Sequence, residues 1–404
     1  MNIVFIHQNM PGQFKHLAQH FAAQPGNRVV FITQRENVEI PNVVRIVYKT
    51  SRQPGPHTHH YLIRTEDAVL HGQAVTRVLL DIKAKGFRPD IIIAHPGWGE
   101  SLFAKDVYPD VPLLNYCEYY YRTVNSDMDF NPAAPPTLDS VLRARMRCTH
   151  LLLSLEECDR GWSPTAWQRS VHPPALQHKI EVIHEGIDME RLKPDAEATF
   201  ELPDGRVLTR RNKVVTYVAR NLEPYRGFPS FMRSIPSILE GCPEATILLV
   251  GGDEISYGSA PEDGQTWRQK MLAEVPVDPR RVIFLGRLPY GRFMRMLQVS
   301  TVHVYLTYPF VLSWSMLEAM STGCIVVASD THPVREAVTH GHDGLLVDFF
   351  SSDRIAAQVV EVLKRPAEFA PLAVQARETI RQRYEVRQCM ARQLAMIHTL
   401  AGTR

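Results

Sequence analysis

Two arginines with the chemistry of a phosphate site flank one short turn. Arg220 and Arg226 stand on either side of Pro224, and the turn ends at Gly227. It directly follows the apolar, β-branched run 214–219 (VVTYVA), which is typical of a buried strand. Arginine offers planar, forked donors that match diphosphate oxygens, so the pair could bind such a group together. Surface arginines are often only solvated, but the place after a strand favours a binding site as much as a solvated loop.

A second candidate lies in segment 308–323 (YPFVLSWSMLEAMSTG), between two further strand-like runs. Ser313 or Ser315 could cap a helix here, and the free N–H groups of that helix would face a ligand crevice. Glu318 has two interpretations. It fits a capping box with Ser315, which is a structural use, and it could equally accept two sugar hydroxyls as an ionised carboxylate beside a cleft.

A third turn, 7–13 (HQNMPGQ), follows the first strand-like run of the chain. Gly12 permits close backbone approach just before a helix, which suits an anion site and a simple helix-entry turn equally well. Neither a GxGxxG fingerprint nor a GxxxxGK[ST] loop occurs at any of these turns. Nicotinamide, flavin and P-loop nucleotide sites are therefore not supported.

The elements that must position these turns alternate between strand and helix along the 404 residues. Such alternation predicts parallel sheets covered by helices on both faces. We expect an α/β protein with two doubly wound, Rossmann-like domains: residues 1–192, a linker at 193–212, residues 213–371, and C-terminal helices at 372–404 that pack back toward the first domain. The predicted strands are 2–7, 28–33, 90–94, 113–116, 150–155, 180–184, 214–219, 246–251, 282–286, 302–306, 325–329 and 345–347.

Composition narrows the class of protein further. The chain has 45 basic and 43 acidic residues, a net charge of +2, which gives no electrostatic argument for nucleic-acid binding. Six cysteines lie scattered without CxxC spacing, so neither a disulfide framework nor a zinc site is expected. The N-terminus lacks a basic region followed by an apolar one, so no signal peptide is expected. These features favour a cytoplasmic location.

Five stretches together resemble the family 4 glycosyltransferases, which are retaining enzymes with the two-domain GT-B fold. They are 1–13, 180–194 (IEVIHEGIDMERLKP), 214–227 (VVTYVARNLEPYRG), 282–297 (VIFLGRLPYGRFMRML) and 317–347. Each is a weak signal alone, but the set extends along the whole chain. The resemblance implies a deep cleft between an N-terminal acceptor-binding domain and a C-terminal domain that binds a nucleotide sugar.

The resemblance also implies roles for particular residues. Arg220 and Arg226 would hold the donor diphosphate, with Arg226 standing where the family usually has lysine. Glu318 would bind the ribose hydroxyls, and Arg287 and Leu288 would meet the base through backbone groups. The full expected donor-binding set is Gly12, Arg287, Leu288, Phe310, Val311, Leu312, Ser313 and Glu318.

One position departs from the family pattern. The family usually has two glutamates eight positions apart, with glycines just after the first, but Phe310 occupies the first position here and Val311 follows it. The side chain expected to read the hydroxyls of the sugar is therefore missing. This leaves the identity of the donor sugar open.

On the acceptor side, the expected residues are His95, Trp98 and Glu100, with Glu118 as a catalytic candidate. Trp98 could stack on a sugar ring. His95 is interpreted as a hydrogen-bonded histidine at a strand end rather than an acid or base. Glu118 stands near where relatives place a histidine close to the reacting centre, although a Tyr-rich segment of this kind is more often core or a domain contact.

The expected reaction is retaining transfer from a nucleotide-diphosphate sugar to a glycan, lipid-linked or small-molecule hydroxyl. A UDP-sugar is preferred as donor and GDP-mannose comes second. No cofactor and no metal are expected, because two arginines and a helix N-terminus can stabilise the leaving group. The one DxD match, 127–129, lies in a Pro-flanked loop of the other domain.

Three alternatives stay open to different degrees. A sugar-nucleotide epimerase of the same fold and a catalytically silent binding protein both fit the sequence. A glycan phosphorylase fits less well, because residues 305–346 contain no lysine to hold a pyridoxal group.

Peripheral contact with the inner membrane surface is also open, although Arg143, Arg145 and Arg147 spread around a helix and favour a solvated face.

Overall fold

The structure is a computed structural model that describes residues 1–402. The chain forms two compact units. Unit 1 comprises Met1–Gly186 together with the chain from Val386 onward, and unit 2 comprises Ile187–Glu385.

Unit 1 is built on a fully parallel sheet. Its strands are β1 (Asn2–Ile6), β2 (Arg28–Thr33), β3 (Val43–Val47), β4 (Ile91–Ala94), β5 (Leu113–Tyr116), β6 (Arg160–Ser163) and β7 (Ile180–Val182). Among the described residues the strand order is β3-β2-β1-β4-β5-β6-β7. Because side chains alternate across a strand, Val4 and Ile6 pack into the core on one face, whereas Ile3 and Phe5 pack on the other. The helices are α1 (Lys15–Ala23), α2 (Ile63–Ala84), α3 (Ala104–Val107), α4 (Leu138–Arg147), α5 (Thr149–Glu157), α6 (Ala166–Ser170) and, from the end of the chain, α14 (Val386–Gly402).

Unit 2 repeats this plan. The hairpin strands are β8 (Thr199–Glu201) and β9 (Val207–Thr209), and the sheet strands are β10 (Val214–Asn221), β11 (Thr246–Gly252), β12 (Val282–Phe284), β13 (Val302–Tyr305), β14 (Ile325–Ser329) and β15 (Leu345–Val347). In the part of the chain that is described, the sheet is parallel with the order β12-β11-β10-β13-β14-β15. The helices are α7 (Phe228–Gly241), α8 (Trp267–Glu274), α9 (Tyr290–Val299), α10 (Trp314–Thr322), α11 (His332–Ala337), α12 (Ser352–Lys364) and α13 (Pro366–Arg383). The predicted fold class, two doubly wound α/β domains, is confirmed.

One predicted strand is wrong. Residues 150–155 belong to α5, and the strand of this region is β6, which begins ten residues after His150. The run HLLLSL contains no β-branched residue, and leucine is a strong helix former. The true strand, RGWS, is too short and too mixed to stand out, and Gly161 lies where an added Cβ would be 2.7 Å from Cys117 Sγ.

The unit boundaries differ from the predicted ones. Residues 193–212 lie inside unit 2, where Pro203-Asp204-Gly205 forms the turn of the hairpin rather than a linker. Phe200 and Leu208 on the two hairpin strands are buried in the core of unit 2. Within 372–404, α13 belongs to unit 2 and α14 to unit 1, and residues 403–404 lie outside the described part of the chain.

Each sheet has one point where the strand order reverses. In unit 1 this point lies between β1 and β4, and in unit 2 it lies between β10 and β13. Ligands of doubly wound sheets bind beyond the carboxyl ends of the strands at such points. Among residues 1–402, no helix combines the length and apolar character that a membrane span requires.

Candidate active site

Arg220 stands at the reversal point of unit 2. It is the penultimate residue of β10 and its side chain is exposed. Its guanidinium has no hydrogen-bond or ion-pair partner among the described residues. An unpartnered cation at the carboxyl end of a central strand is available to an anionic ligand.

Arg226 has very different surroundings. It is only 6% exposed, and its Nη1 donates to Tyr305 Oη at 3.0 Å, Thr307 Oγ1 at 2.7 Å and the Val311 carbonyl at 3.0 Å. Tyr305 ends β13, so Arg226 connects the segment after β10 to the segment after its sheet neighbour. The guanidinium carbon also lies 5.4 Å from the centre of the Tyr257 ring. This arginine therefore fixes the loop after β13, and Nη1 has no donor left for a phosphate.

The loop after β13 leads into α10. Ser313 caps that helix, since its Oγ accepts from the Ser315 N–H at 3.3 Å. The Ser313 N–H itself donates to Tyr305 Oη at 2.8 Å. Of the backbone groups expected to contact sugar or phosphate, those of Ser313 and Ser315 are thus used inside the protein. Leu312 is buried in the core, whereas Val311 is half-buried.

Glu318 does not form the capping box, because the cap is Ser313, five residues earlier. Its Oε1 accepts from the hydroxyl of Tyr290 on α9 at 2.7 Å, and the residue is 9% exposed. Desolvation and the neighbouring carboxylate raise the pKa of Tyr290. The capping-box interpretation is therefore wrong, and the Glu318 carboxylate is held in place by the hydroxyl of Tyr290.

Arg287 and Leu288 follow β12. The Arg287 guanidinium is exposed and donates to Asn221 Oδ1 at 3.0 Å and to Glu254 Oε2 at 2.5 Å. These side chains converge over Gly252, where an added Cβ would lie 2.4 Å from Glu254 Oε2. Leu288 is half-buried against the core.

Phe310 belongs to an aromatic cluster rather than to a polar pocket. Its ring centre lies 5.0 Å from that of Tyr257 and 5.7 Å from that of Tyr225, which in turn stacks on Tyr308 at 4.8 Å. Phe310 is 6% exposed, while Tyr225 and Tyr257 are half-buried. The apolar residue at the position of the family's first glutamate is thus packed among rings.

In unit 1, the reversal point carries a polar network around Glu118. His7 follows β1 and His95 follows β4, and their ring centres lie 4.7 Å apart. Glu118 Oε1 accepts from Gln13 Nε2 at 2.7 Å, and its Oε2 lies 3.3 Å from His95 Nε2. The Gln13 amide oxygen lies 2.7 Å from His7 Nε2.

The backbone fixes the tautomers of both histidines. The Asn9 N–H donates to His7 Nδ1, and the Gly97 N–H donates to His95 Nδ1. The Nε2 atom of each neutral ring must then carry the proton, so His7 donates to Gln13 and His95 donates to Glu118. Burial, followed by the neighbouring His95, lowers the pKa of His7 well below its usual value. The Glu118 carboxylate therefore receives two donors and is 28% exposed.

Two other predicted residues join this network. Gly12 has a positive φ of +50°, and an added Cβ would lie 2.4 Å from His7 Nε2. Trp98 is half-buried with its ring centre 4.9 Å from that of His95. Sequence reasoning placed His95 as a satisfied strand-end histidine, and its Nδ1 contact agrees with that.

The structure does not bring Glu100 to this network as an exposed acceptor-side residue. It is 1% exposed, and its Oε1 accepts from the Tyr48 hydroxyl at 2.9 Å. Burial raises the pKa of Glu100 to about 7, and its Oε2 has no hydrogen-bond partner in the described chain. A residue so enclosed cannot meet a diffusing acceptor.

The sequence did not predict four residues that belong to the site, namely Gln13, Tyr290, Tyr305 and Thr307. Each lies one turn or strand end away from a predicted residue, but its contacts depend on elements distant in sequence. The available signal was their place at carboxyl ends of strands or at helix starts. Within residues 1–402, no group of three or more His, Cys, Asp or Glu side chains is arranged to hold a metal ion.

Comparison with known proteins identifies the family. The sequence profile of the Glycosyl transferase family 4 group matches residues 25–192, and that of the Glycosyl transferases group 1 matches residues 212–365. The chain belongs to the family 4 glycosyltransferases. The predicted family is thereby confirmed, and the two profiles fall on the two units of this glycosyltransferase.

Individual relatives of this glycosyltransferase are distant. D-inositol 3-phosphate glycosyltransferase from Rhodococcus opacus is 27% identical over 207 residues, 51% of this chain and 45% of that protein. A GDP-mannose-dependent α-(1-6)-phosphatidylinositol monomannoside mannosyltransferase from Mycobacterium tuberculosis is 26% identical over 201 residues, 46% of each chain. The chain thus spans about half the length of the curated relatives it matches.

Solved structures share the fold of this glycosyltransferase. Sucrose-phosphate synthase from Thermosynechococcus elongatus superposes with a TM-score of 0.76 over the whole of both chains at 17% identity. Anabaena HepE in complex with UDP-glucose gives 0.69 at 16% identity, covering 98% of this chain and 100% of that one. The GT-B fold is confirmed.

Proposed function

We propose that this glycosyltransferase moves a sugar from a nucleotide-diphosphate sugar to a hydroxyl acceptor with retention of configuration and without a metal. The observation that carries the proposal is Arg220, an exposed guanidinium with no partner in the described residues, at the reversal point of unit 2. Glu318, fixed by Tyr290, supplies a carboxylate for the ribose hydroxyls of the donor.

The donor we favour is a UDP-sugar, with GDP-mannose second. HepE, which shares the fold, has been solved with UDP-glucose, whereas one curated relative is named as GDP-mannose-dependent. The acceptor is a hydroxyl of a glycan, an inositol-type or lipid-linked molecule, or a small molecule, since the relatives bear names of inositol and phosphatidylinositol enzymes.

In the proposed step, the bond from the anomeric carbon to the β-phosphate oxygen breaks and a bond to the acceptor oxygen forms on the same face. The proton of the acceptor hydroxyl passes to the leaving diphosphate, so charge balances without a protein nucleophile. Arg220 stabilises the charge that develops on the leaving group, which is where a preorganised donor contributes most. Arg226 acts indirectly, by fixing the loop between β13 and α10.

Glu118 is proposed as the carboxylate that orients the acceptor hydroxyl. Its two oxygens are held by Gln13 and His95, and its 28% exposure leaves it reachable by a hydroxyl.

The deciding experiment is a thermal-shift panel of UDP-, GDP-, ADP- and dTDP-sugars, followed by donor hydrolysis with the best binder. We expect one sugar nucleotide to raise the melting temperature and to be hydrolysed slowly without acceptor. Arg220→Ala should reduce hydrolysis by about a hundredfold or more. Arg211→Ala, which changes an exposed arginine in the turn between β9 and β10, should leave hydrolysis unchanged. A protein indifferent to every sugar nucleotide would overturn the proposal.

A catalytically silent binding protein is the second candidate, and Phe310 is the observation that favours it. With a ring in place of the expected carboxylate, sugar hydroxyls lose one acceptor. Binding without hydrolysis or transfer would support this candidate, while conversion of the donor sugar without acceptor would indicate an epimerase.

We propose a cytoplasmic location, since all six cysteines are buried and unpaired, as in a reducing compartment. Contact with the inner membrane surface is a further proposal. It rests on α4, which has no buried residue, although Arg143 pairs with Asp139 and Arg147 donates to Tyr121 within unit 1.

A further inference from the structure

A buried carboxylate organises the loop after β11. Glu223 is fully buried, and its Oε2 accepts from three successive backbone N–H groups, those of Ser256 at 3.3 Å and of Tyr257 and Gly258 at 3.1 Å each. Asn221 adds a bond from Nδ2 to Ser256 Oγ at 2.8 Å. Three backbone N–H groups that donate to one carboxylate oxygen form strong, charge-assisted hydrogen bonds. These bonds hold the turn 256–258 to the end of β10.

This attachment places one aromatic ring. Tyr257 is half-buried, its ring centre lies 5.0 Å from that of Phe310, and the Arg226 guanidinium carbon lies 5.4 Å from it. Without Glu223, three N–H groups would lose their acceptor, and the turn that carries Tyr257 would have no comparable tie to β10. Glu223 therefore positions the Tyr257 ring through hydrogen bonds to the backbone of the turn.

We propose that Tyr257 packs against the sugar of the donor and that Glu223 is the positioning residue that places it. The inference rests on the proposed function. Tyr257 stands with Phe310 beside Arg226, on the side of unit 2 where β10 and β13 end. Aromatic rings stand here in place of the expected carboxylate. Such rings recognise the C–H face of a sugar ring through dispersion and apolar contact.

The other oxygen of Glu223 strengthens the assignment of a dedicated role. Its Oε1 is buried with no hydrogen-bond partner in the described residues. A half-satisfied buried carboxylate costs free energy that a glutamine or an apolar side chain would avoid in part. A carboxylate with three N–H donors on one oxygen and none on the other is explained by the turn that it fixes.

The experiment compares UDP with UDP-glucose, and GDP with GDP-mannose, by calorimetry on the full chain. Tyr257→Ala should weaken the sugar nucleotide about tenfold and leave the matching nucleotide within about twofold, because only the sugar contacts the ring. Tyr257→Phe should restore affinity. Glu223→Gln should give the same selective loss, and the double variant should be no weaker than Tyr257→Ala alone.

Hydrogen exchange supplies a readout independent of any ligand. The amides of 256–258 should exchange faster in Glu223→Gln and not in Glu262→Gln, which makes the same change at an exposed position of the same loop. Equal weakening of nucleotide and sugar nucleotide, additive losses in the double variant, or unchanged exchange would each overturn the inference. If the wild-type protein binds none of these four compounds and no sugar nucleotide of the thermal-shift panel, the proposed function itself fails, and this inference with it.

Discussion

Arg220 and Arg226 come from one turn but have opposite surroundings, so their loss should have separable effects. Arg220→Ala should reduce turnover by about a hundredfold or more, in line with the roughly 10²–10³ cost of removing one donor to a developing charge, and leave the melting temperature unchanged. Arg226→Ala should reduce turnover as much and also lower the melting temperature, because it removes three buried hydrogen bonds. Steady-state kinetics and calorimetric melting test both variants.

Arg211→Ala is the matched control for this pair and should change neither quantity. Full activity in Arg220→Ala would contradict the assignment of the diphosphate. An Arg226→Ala protein with unchanged melting would contradict the role of that residue in fixing the loop.

The buried Glu100 should make stability depend on pH. Its pKa is about 7 in the folded protein against an ordinary 4.5, chiefly because burial disfavours the charged form. An acid whose pKa is raised by folding stabilises the protein while protonated, so stability is fully present below about pH 4.5 and is lost as pH rises through 7. The loss amounts to roughly 3 kcal/mol above that range.

Glu100→Gln should remove this loss. Urea unfolding between pH 5 and 8 should show the variant gaining on the wild type steadily with pH and levelling off near pH 8. A difference between the two proteins that stays constant across this range would show that Glu100 remains ionised in the folded state.

At the scale of elements, the entry to α1 depends on one glycine. Gly12 has a φ of +50°, and a methyl group there would lie 2.4 Å from His7 Nε2, the atom that donates to Gln13. Gly12→Ala should displace His7 and thereby the Gln13 contact to Glu118. We expect turnover to fall by at least about tenfold. This is a lower bound, because a correctly positioned catalytic group typically contributes about a hundredfold or more to the rate.

Gly26→Ala is the control, since Gly26 has a φ of +84° but nothing within 4 Å of an added Cβ. Both variants carry the strain of a side chain at positive φ, about 1–2 kcal/mol, and only Gly12→Ala moves His7. Equal kinetics in the two would mean that the His7 network does not serve catalysis.

Regular elements were predictable wherever an apolar pattern was long and β-branched. The runs IVFI and VVTYV are buried strands as expected, whereas HLLLSL belongs to helix α5 because it has no β-branched residue and leucine favours helix. The hairpin at 199–209 was hidden by its turn residues, which also suit a linker.

The residue types of the site and their positions in the fold were predictable from the sequence, but their hydrogen-bond partners were not. The sequence indicated Arg220, Arg226 and Glu318 at carboxyl ends of strands and helix starts. It could not indicate that Arg226 donates its hydrogen bonds to Tyr305 and Thr307, since those contacts join segments about 80 residues apart. The surroundings of Glu100 were unpredictable for a related reason, because its carboxylate accepts from Tyr48, which lies 52 residues earlier in the chain.

At the scale of the whole molecule, sequence order and structural order differ. Unit 1 is completed by the last helix of the chain, so the N-terminal sheet depends on residues nearly 400 positions away. Met396 and Ile397 of α14 pack in the same core cluster as Ile3, Phe5 and Phe21. Unit 2 is one continuous segment with its own core.

This arrangement predicts that damage at the C-terminus weakens the N-terminal unit. Ile397 is fully buried, and Ile397→Ala should cost about 2–5 kcal/mol as a large-to-small core change. Amides of β1 and β2 should exchange faster by hydrogen exchange, while those of β10 and β11 stay protected. Val374→Ala, at a site 73% exposed on α13, should alter neither unit. Faster exchange in β10 and β11, or none in β1, would mean that α14 does not support the core of unit 1.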